Sequence, residues 1–202
     1  MTGGGHGVRR AKSSEVDGVA ELLSLAFMED PVSRWIFPGR DRRRRAHPGF
    51  FGAFAGYAFD RGEVWVTGDF TGATLWFPEG GENPEDEEAL LARFAALDDG
   101  ERTRVCALME VMGVNLPTRP GFLHVQFVGV LPKRQRSGVG GALLRHRLEH
   151  LDAEGIPSYL EASSPDSVRL YRRLGFKDLG KPFAAPGAPS MWPMWREPAS
   201  PA

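Results

Sequence analysis

The segment 122–131 (FLHVQFVGVL), followed at once by PKRQRS and then Gly138-Val-Gly140-Gly-Ala-Leu-Leu, admits few folds. A run rich in Val, Phe and Leu reads as a strand, a proline ends it, and the glycine turn opens onto an apolar rhythm. That rhythm reads as a helix over about 138–153, stopped before Gly155 and Pro157. If the alternation of period two is unbroken, His124, Gln126, Val128 and Val130 share one face of the strand. At Gln135-Arg-Ser-Gly138-Val-Gly140 the first amides of the helix have no intrahelical acceptor, and the helix dipole favours an anion beside them. Glycines at 138 and 140 remove Cβ atoms that would hold a phosphate off the backbone, and Lys133, Arg134 and Arg136 add positive charge. The turn lacks the Gly-Lys-Ser/Thr ending of a P-loop and the full G-x-G-x-x-G of a dinucleotide fold. Read alone, it is either an anion site or an ordinary helix start whose glycines serve packing.

The rest of the chain fits an α/β layer around this unit. Residues 8–11 read as a first strand. Ser13 or Ser14 caps an amphipathic helix through Val16, Val19, Ala20, Leu22, Leu23 and Phe27, which Asp30-Pro31 ends. A second helix is expected over 50–59, after an arginine run at 42–45 read as a solvated face or loop. Residues 63–67 and 73–77 read as a hairpin closed by Gly68, Asp69 and Gly72. Residues 79–101 hold nine acidic residues and one arginine, with a helix expected over 85–97 and a solvated surface as its simplest reading. Further helices are expected over 101–112 and 165–174, and further strands over 158–162, 176–179 and 190–196. The expected fold is α/β (α+β): a mixed, mostly antiparallel central sheet with helices on both faces. A single domain over 8–196 is expected between a glycine-rich start and a Pro-rich end, both read as mobile.

Composition excludes several functions. Lys plus Arg total 25 against 26 Asp plus Glu, a balance without the basic footprint of a nucleic-acid binder, so no nucleic-acid partner is expected. No apolar run approaches the ~18–20 residues of a membrane helix, so no membrane partner is expected. The start lacks the apolar stretch of a secretory signal, and a cytoplasmic location is expected. The single Cys106 sits in VCALM and reads as a core filler. His6 and His47 look isolated, no histidine pair is read at metal-ligand spacing, and no metal is expected.

Val128-Gly-Val-Leu-Pro-Lys-Arg-Gln135-Arg-Ser-Gly138-Val-Gly140-Gly-Ala-Leu-Leu resembles the acetyl-CoA segment of the GNAT superfamily of N-acetyltransferases. Tyr159-Leu-Glu-Ala-Ser-Ser-Pro-Asp-Ser-Val-Arg-Leu-Tyr171-Arg-Arg-Leu-Gly175-Phe176 is similar to that family's later strand, helix and Leu-Tyr-x-x-x-Gly-Phe ending. With Glu63-Val-Trp-Val and the closing Trp-x-Met-x-Arg-like strand, the chain looks closest to the puromycin N-acetyltransferase-like branch. The resemblance implies acetyl-CoA as acetyl donor, its pantetheine arm along the backbone of Val128, Gly129 and Val130. It places the pyrophosphate on the amides of Gln135, Arg136, Ser137, Gly138, Val139 and Gly140. Arg136 stands where the family often has Gly. Ser167 stands near the family's usual Asn and is a weaker cofactor contact. A homodimer is a further expectation of the resemblance.

Acetyl transfer to an amine needs a proton acceptor for the amine, a polarised carbonyl and a proton for the departing thiolate. By resemblance Tyr171 is the proton donor, with a phenol near pKa ~10 against a thiol near ~8.5, a modestly uphill transfer; packing beside Leu170 and Leu174 is the alternative reason for a tyrosine there. His124 and Glu161 are rival bases, each with a purely structural alternative. Phe27, Glu29, Asp30, Trp35 and Trp76 are expected to line the acceptor site, through carboxylates that attract an ammonium group and aromatics that stack; the tryptophans serve equally as core. The expected function is acetyl-CoA-dependent N-acetylation of a primary amine on a small molecule by direct attack on the thioester. The alternatives are a non-catalytic acetyl-CoA sensor or scaffold, and an acetyltransferase of proteins or peptides.

Overall fold

Val64, Val66, Ala73, Leu75 and Phe77 alternate along two neighbouring strands and face one core, while Trp65 and Trp76 face another, so the sheet they build is covered on both sides. The computed structural model describes residues 7–79 and 97–199, together with 90, 92 and 94. Its elements run β1 (Val8–Arg10), α1 (Val16–Ala26), α2 (Pro31–Ile36), α3 (Arg40–Arg61), β2 (Glu63–Thr67), β3 (Gly72–Pro78) and α4 (Asp99–Asn115). They continue with β4 (Leu123–Val130), α5 (Val139–Glu154), β5 (Ser158–Ala162), α6 (Pro165–Arg173), β6 (Lys177–Asp178) and β7 (Trp192–Arg196). The seven strands form one sheet in the order β1-β2-β3-β4-β5-β7-β6. Every neighbouring pair is antiparallel except β4 with β5. The expected mixed, mostly antiparallel architecture is therefore what the chain adopts. No helix among the described residues is long and apolar enough to cross a membrane.

One core, under α1, α2 and α3, is aromatic: Phe27, Phe37, Phe50, Phe51, Phe54 and Phe127 pack with ring centres about 5 Å apart. The other, under α5 and α6, holds Trp76, Leu144, Leu148, Leu151, Leu160 and Met194. His47 is buried in the first core, where its Nδ1 donates to the Ser24 carbonyl at 3.0 Å and its Nε2 accepts from Ser33 Oγ at 2.7 Å. Burial pushes its pKa down, so it joins α1, α2 and α3 as a neutral ring.

The structure departs from the sequence reading at several points. The second helix begins at Arg40, well before 50, so the arginine run lies on α3. Arg43 is buried and donates to the carbonyls of Met28 at 3.0 Å and Phe37 at 2.9 Å, and Arg42 pairs with the buried Glu101 carboxylate of α4 at 2.6 Å. A solvated face is thus the wrong description for these two side chains. Asp30-Pro31 follows one helix but also starts α2: the Asp30 carboxylate accepts the Ser33 amide at 2.9 Å, with Pro31 in the first helical turn. Cys106 is exposed on α4 rather than in a core. Most of the helix expected over 85–97 lies outside the described residues.

Candidate active site

β4 and β5 run parallel but pair only at Leu123 with Ser158 and at His124 with Tyr159. Beyond His124 the remainder of β4 has no partner in β5, so the sheet opens into a cleft bounded by the backbone of β4. A bulge shapes that edge. Leu75 of β3 stands opposite Phe127 and Trp76 opposite Val125, which leaves Gln126 as the extra residue. The bulge shifts the alternation: Val125 and Val128 pack beneath α5, whereas Phe127 enters the aromatic core. His124, opposite Phe77, faces the aromatic side. The reading that placed His124, Gln126 and Val128 on one face is corrected by this single inserted residue.

The cleft ends at the glycine turn. Arg136 and Gly138 both adopt left-handed backbone, at φ 60° and 91°, which turns successive amides toward one side. Gly138 is the N-cap of α5 and gives no side-chain cap, so the amides of Val139, Gly140 and Gly141 have no partner within the helix. Ser137 Oγ donates to the Arg134 carbonyl at 2.5 Å and Gln135 Nε2 to the Val130 carbonyl at 3.1 Å, fastening the turn to the end of β4. A Cβ on Gly140 would meet Val130, Val128 and Leu170 at 3.5–3.8 Å, ordinary contact, so the fold itself has no need of glycine there. Gly129 differs: a Cβ would lie 2.5 Å from Leu23 Cδ2, and the close approach of α1 accounts for it. Val139 is 1% exposed, so only its amide can face a ligand. The positive-φ turn, the uncapped amides and the open space at Gly138, where a Cβ would meet nothing within 4 Å, fit a pyrophosphate and the arm that extends from it. Ser167 is otherwise engaged, its Oγ 2.8 Å from that of Ser164, the N-cap of α6.

On the aromatic side of the cleft, His124 lies between two carboxylates. Its Nδ1 is 3.1 Å from Glu79 Oε1 and its Nε2 2.7 Å from Glu161 Oε2, with side-chain exposures of 6%, 8% and 2% for His124, Glu79 and Glu161. Burial alone would push the imidazole down, but the charge and hydrogen bond of Glu161, followed by those of Glu79, outweigh it and hold its pKa up at about 10. At neutral pH His124 is an imidazolium that donates from both nitrogens and keeps no lone pair for a further proton. Glu161 Oε1 is buried and has no hydrogen-bond partner. The Tyr159 hydroxyl also lacks a partner in hydrogen-bonding geometry, although Glu161 lies near enough to add to the burial that raises its pKa. Glu79 is the member of this group that sequence reasoning missed; the register of β3 against β4, shifted by the bulge, was the missing information.

Tyr171 packs its ring 6.0 Å from Phe176 beneath the same cleft. Burial and then the nearby Asp30 charge push its pKa well above the ordinary phenol value, which makes proton donation more steeply uphill than from an exposed tyrosine. Asp30 also accepts from Ser163 Oγ at 2.6 Å, binding the loop after α1 to the end of β5. Desolvation raises the pKa of Asp30 as well. Of the other expected acceptor residues, Phe27 packs on Phe51 and Phe127 at 5.3 and 5.6 Å, and Trp35 is half-buried against the aromatic core. Glu29 is exposed, 3.9 Å from Arg40. Trp76 must be withdrawn: it is 0% exposed on the α5 side, its Nε1 donating to Thr74 Oγ1 at 2.8 Å.

Residues 57–176, which span the bulged strand, the turn and Tyr171, match the acetyltransferase (GNAT) family. The chain belongs to that family. GNAT acetyltransferases use acetyl-CoA as the acetyl donor, and this chain is accordingly an acyltransferase. An uncharacterised N-acetyltransferase of Schizosaccharomyces pombe is 26% identical over 182 residues, 83% of this chain and 73% of that protein. The mycothiol acetyltransferase of Streptomyces griseus is 44% identical over a shorter stretch of 56 residues, 26% of this chain and 18% of that protein. A solved structure from Corynebacterium glutamicum, described as histone acetyltransferase HPA2 and related acetyltransferase, superposes with a TM-score of 0.69 at 24% identity, covering 97% of this chain and 98% of that one. The polyamine N-acetyltransferase of Drosophila melanogaster superposes at 0.63 with 19% identity, covering 94% and 98%. These two likenesses concern the GNAT fold.

Proposed function

We propose that the chain transfers the acetyl group of acetyl-CoA to the primary amine of a small molecule, which attacks the thioester directly. The observation that supports this reading best is the cleft where β4 parts from β5. An uncapped, positively flanked helix start lies at one end, and a buried Glu79–His124–Glu161 group lines the other side. Acetyl-CoA supplies an acetyl group already activated as a thioester. The amides of residues 135–140 hold the pyrophosphate, and the backbone of Val128, Gly129 and Val130 binds and orients the arm. Glu161, through Oε1, takes the proton of the acceptor ammonium, while the imidazolium of His124 holds its other oxygen in place. This arrangement favours Glu161 over His124 as the base. Tyr171 gives its hydroxyl proton to the departing sulfur. A proton acceptor whose side chain is 2% exposed is reached by a slender amine more readily than by a bulky one.

A thiol-release screen with acetyl-CoA tests the reading against polyamines, arylalkylamines, aminoglycosides, puromycin-like nucleosides and peptides. Puromycin-like nucleosides belong in it because of the branch that the chain resembles. Turnover on one small-amine class is the expected result. Turnover on peptides alone moves the acceptor to a protein, and calorimetric binding of acetyl-CoA without turnover on any amine leaves a sensor.

The turn makes its own prediction. Gly138→Ala places a Cβ on left-handed backbone, which costs about 1–2 kcal/mol, and any relaxation of that strain turns the amides away from the phosphates. Calorimetry on this variant is expected to show acetyl-CoA affinity reduced by about tenfold. Unchanged affinity shows that the pyrophosphate lies elsewhere.

A further inference from the structure

The sequence reading found no histidine pair at metal-ligand spacing, and α5 corrects it. His146 and His150 are four residues apart in His-Arg-Leu-Glu-His, so they project from one side of the helix, with ring centres 5.0 Å apart. Two imidazoles bound to one ion at about 2.0–2.1 Å place their ring centres about 5 Å apart. His150 is exposed and His146 half-buried, so an ion reaches them from solvent.

Further contacts organise the pair. The Nδ1 of His150 lies 2.7 Å from the His146 carbonyl, which can only accept, so Nδ1 is the donor and Nε2 is left as the ring atom that can ligate an ion. The indole of Trp65, on β2, packs against both rings, with centres at 5.0 Å from His146 and 6.2 Å from His150. Glu63 fixes that indole by accepting from Trp65 Nε1 at 2.8 Å, and Arg147, between the two histidines, grips Glu63 at 2.7 and 2.9 Å. The rings therefore rest on a braced aromatic platform, which reduces the ordering that ligand binding would otherwise require.

We infer that His146 and His150 form a binding site for one borderline divalent cation of the copper, nickel or zinc type. Imidazole donors suit these ions and not magnesium or calcium, and affinity should follow the order of increasing imidazole preference, with copper tightest. Two protein ligands leave the remaining positions to water, so the site is exchangeable, with micromolar or weaker dissociation constants for zinc and nickel.

The test uses the untagged full chain, titrated calorimetrically with Ni²⁺ and Zn²⁺ and followed by tryptophan fluorescence with Cu²⁺. One ion per chain is expected, with Cu²⁺ quenching part of the emission. His146→Ala and His150→Ala should each weaken binding at least about tenfold. Trp65→Phe should retain binding and lose most of the quenching. Binding as tight in both alanine variants as in the native chain, binding of Mg²⁺ as tightly as Zn²⁺, or quenching that survives Trp65→Phe each overturns the site. None of these readouts depends on acetyl transfer.

Discussion

Tyr171→Phe is expected to lower turnover by about 10²–10⁴-fold, the usual contribution of a positioned proton donor, while acetyl-CoA binds as before. The expectation rests on the hydroxyl and not on the ring. The ring packs near Phe176 beneath the cleft, a contact phenylalanine preserves, so fold and cofactor affinity should survive. Burial and Asp30 keep the hydroxyl protonated across the working pH range, so the proton is always present to be given. Steady-state kinetics on the best amine, with calorimetric titration of acetyl-CoA into both proteins, makes the comparison. A variant that turns over at the native rate removes Tyr171 from the chemistry and leaves it a packing residue.

His124→Gln should destabilise the protein by about 3–5 kcal/mol at pH 7, because it leaves Glu79 and Glu161 buried with no cation between them. The native protein should show the matching pH dependence. An imidazole held at about 10 in the fold, against 6.5 when exposed, stabilises fully below pH 6.5. Between 6.5 and 10 the folded state holds one more proton than the unfolded state, so stability falls as pH rises, and above 10 the contribution is gone. Urea unfolding from pH 6 to 10 should reveal this decline in the native chain and its absence in the variant. A native stability that is flat over that range would mean that His124 is neutral at pH 7. The base would then be open to reassignment from Glu161 to His124.

Local chemistry was legible in the sequence where it was self-contained. The glycine turn, the strand before it and the helix after it could be read from residues 122–153, because each boundary is set by a proline, a glycine or an apolar period within a few positions. Asp30 and Tyr171 were recognised as residue types in a pattern, but their proximity was not, since it depends on the start of α2 being tied to the end of β5, next to α6. The largest miss, Glu79 beside His124, has a definite cause. Pairing of β3 with β4 skips Gln126, and no period-two count reveals an inserted residue before the partner strand is known. The arginine run failed for a related reason: Arg43 finds its acceptors at Met28 and Phe37, carbonyls exposed only because α1 and α2 end there.

The parallel contact of β4 with β5 has a mechanical consequence. The N-terminal strand β1 belongs to the half-sheet ending in β4, and the C-terminal strand β7 to the half-sheet beginning with β5. Tension applied to the two ends of the chain therefore crosses the sheet through a seam two residue pairs long, supported by the helices packed over it. That seam is the shortest strand pairing on the path from β1 to β7. A ligand lodged in the cleft, touching β4 on one flank and α6 on the other, would act as a rivet across it.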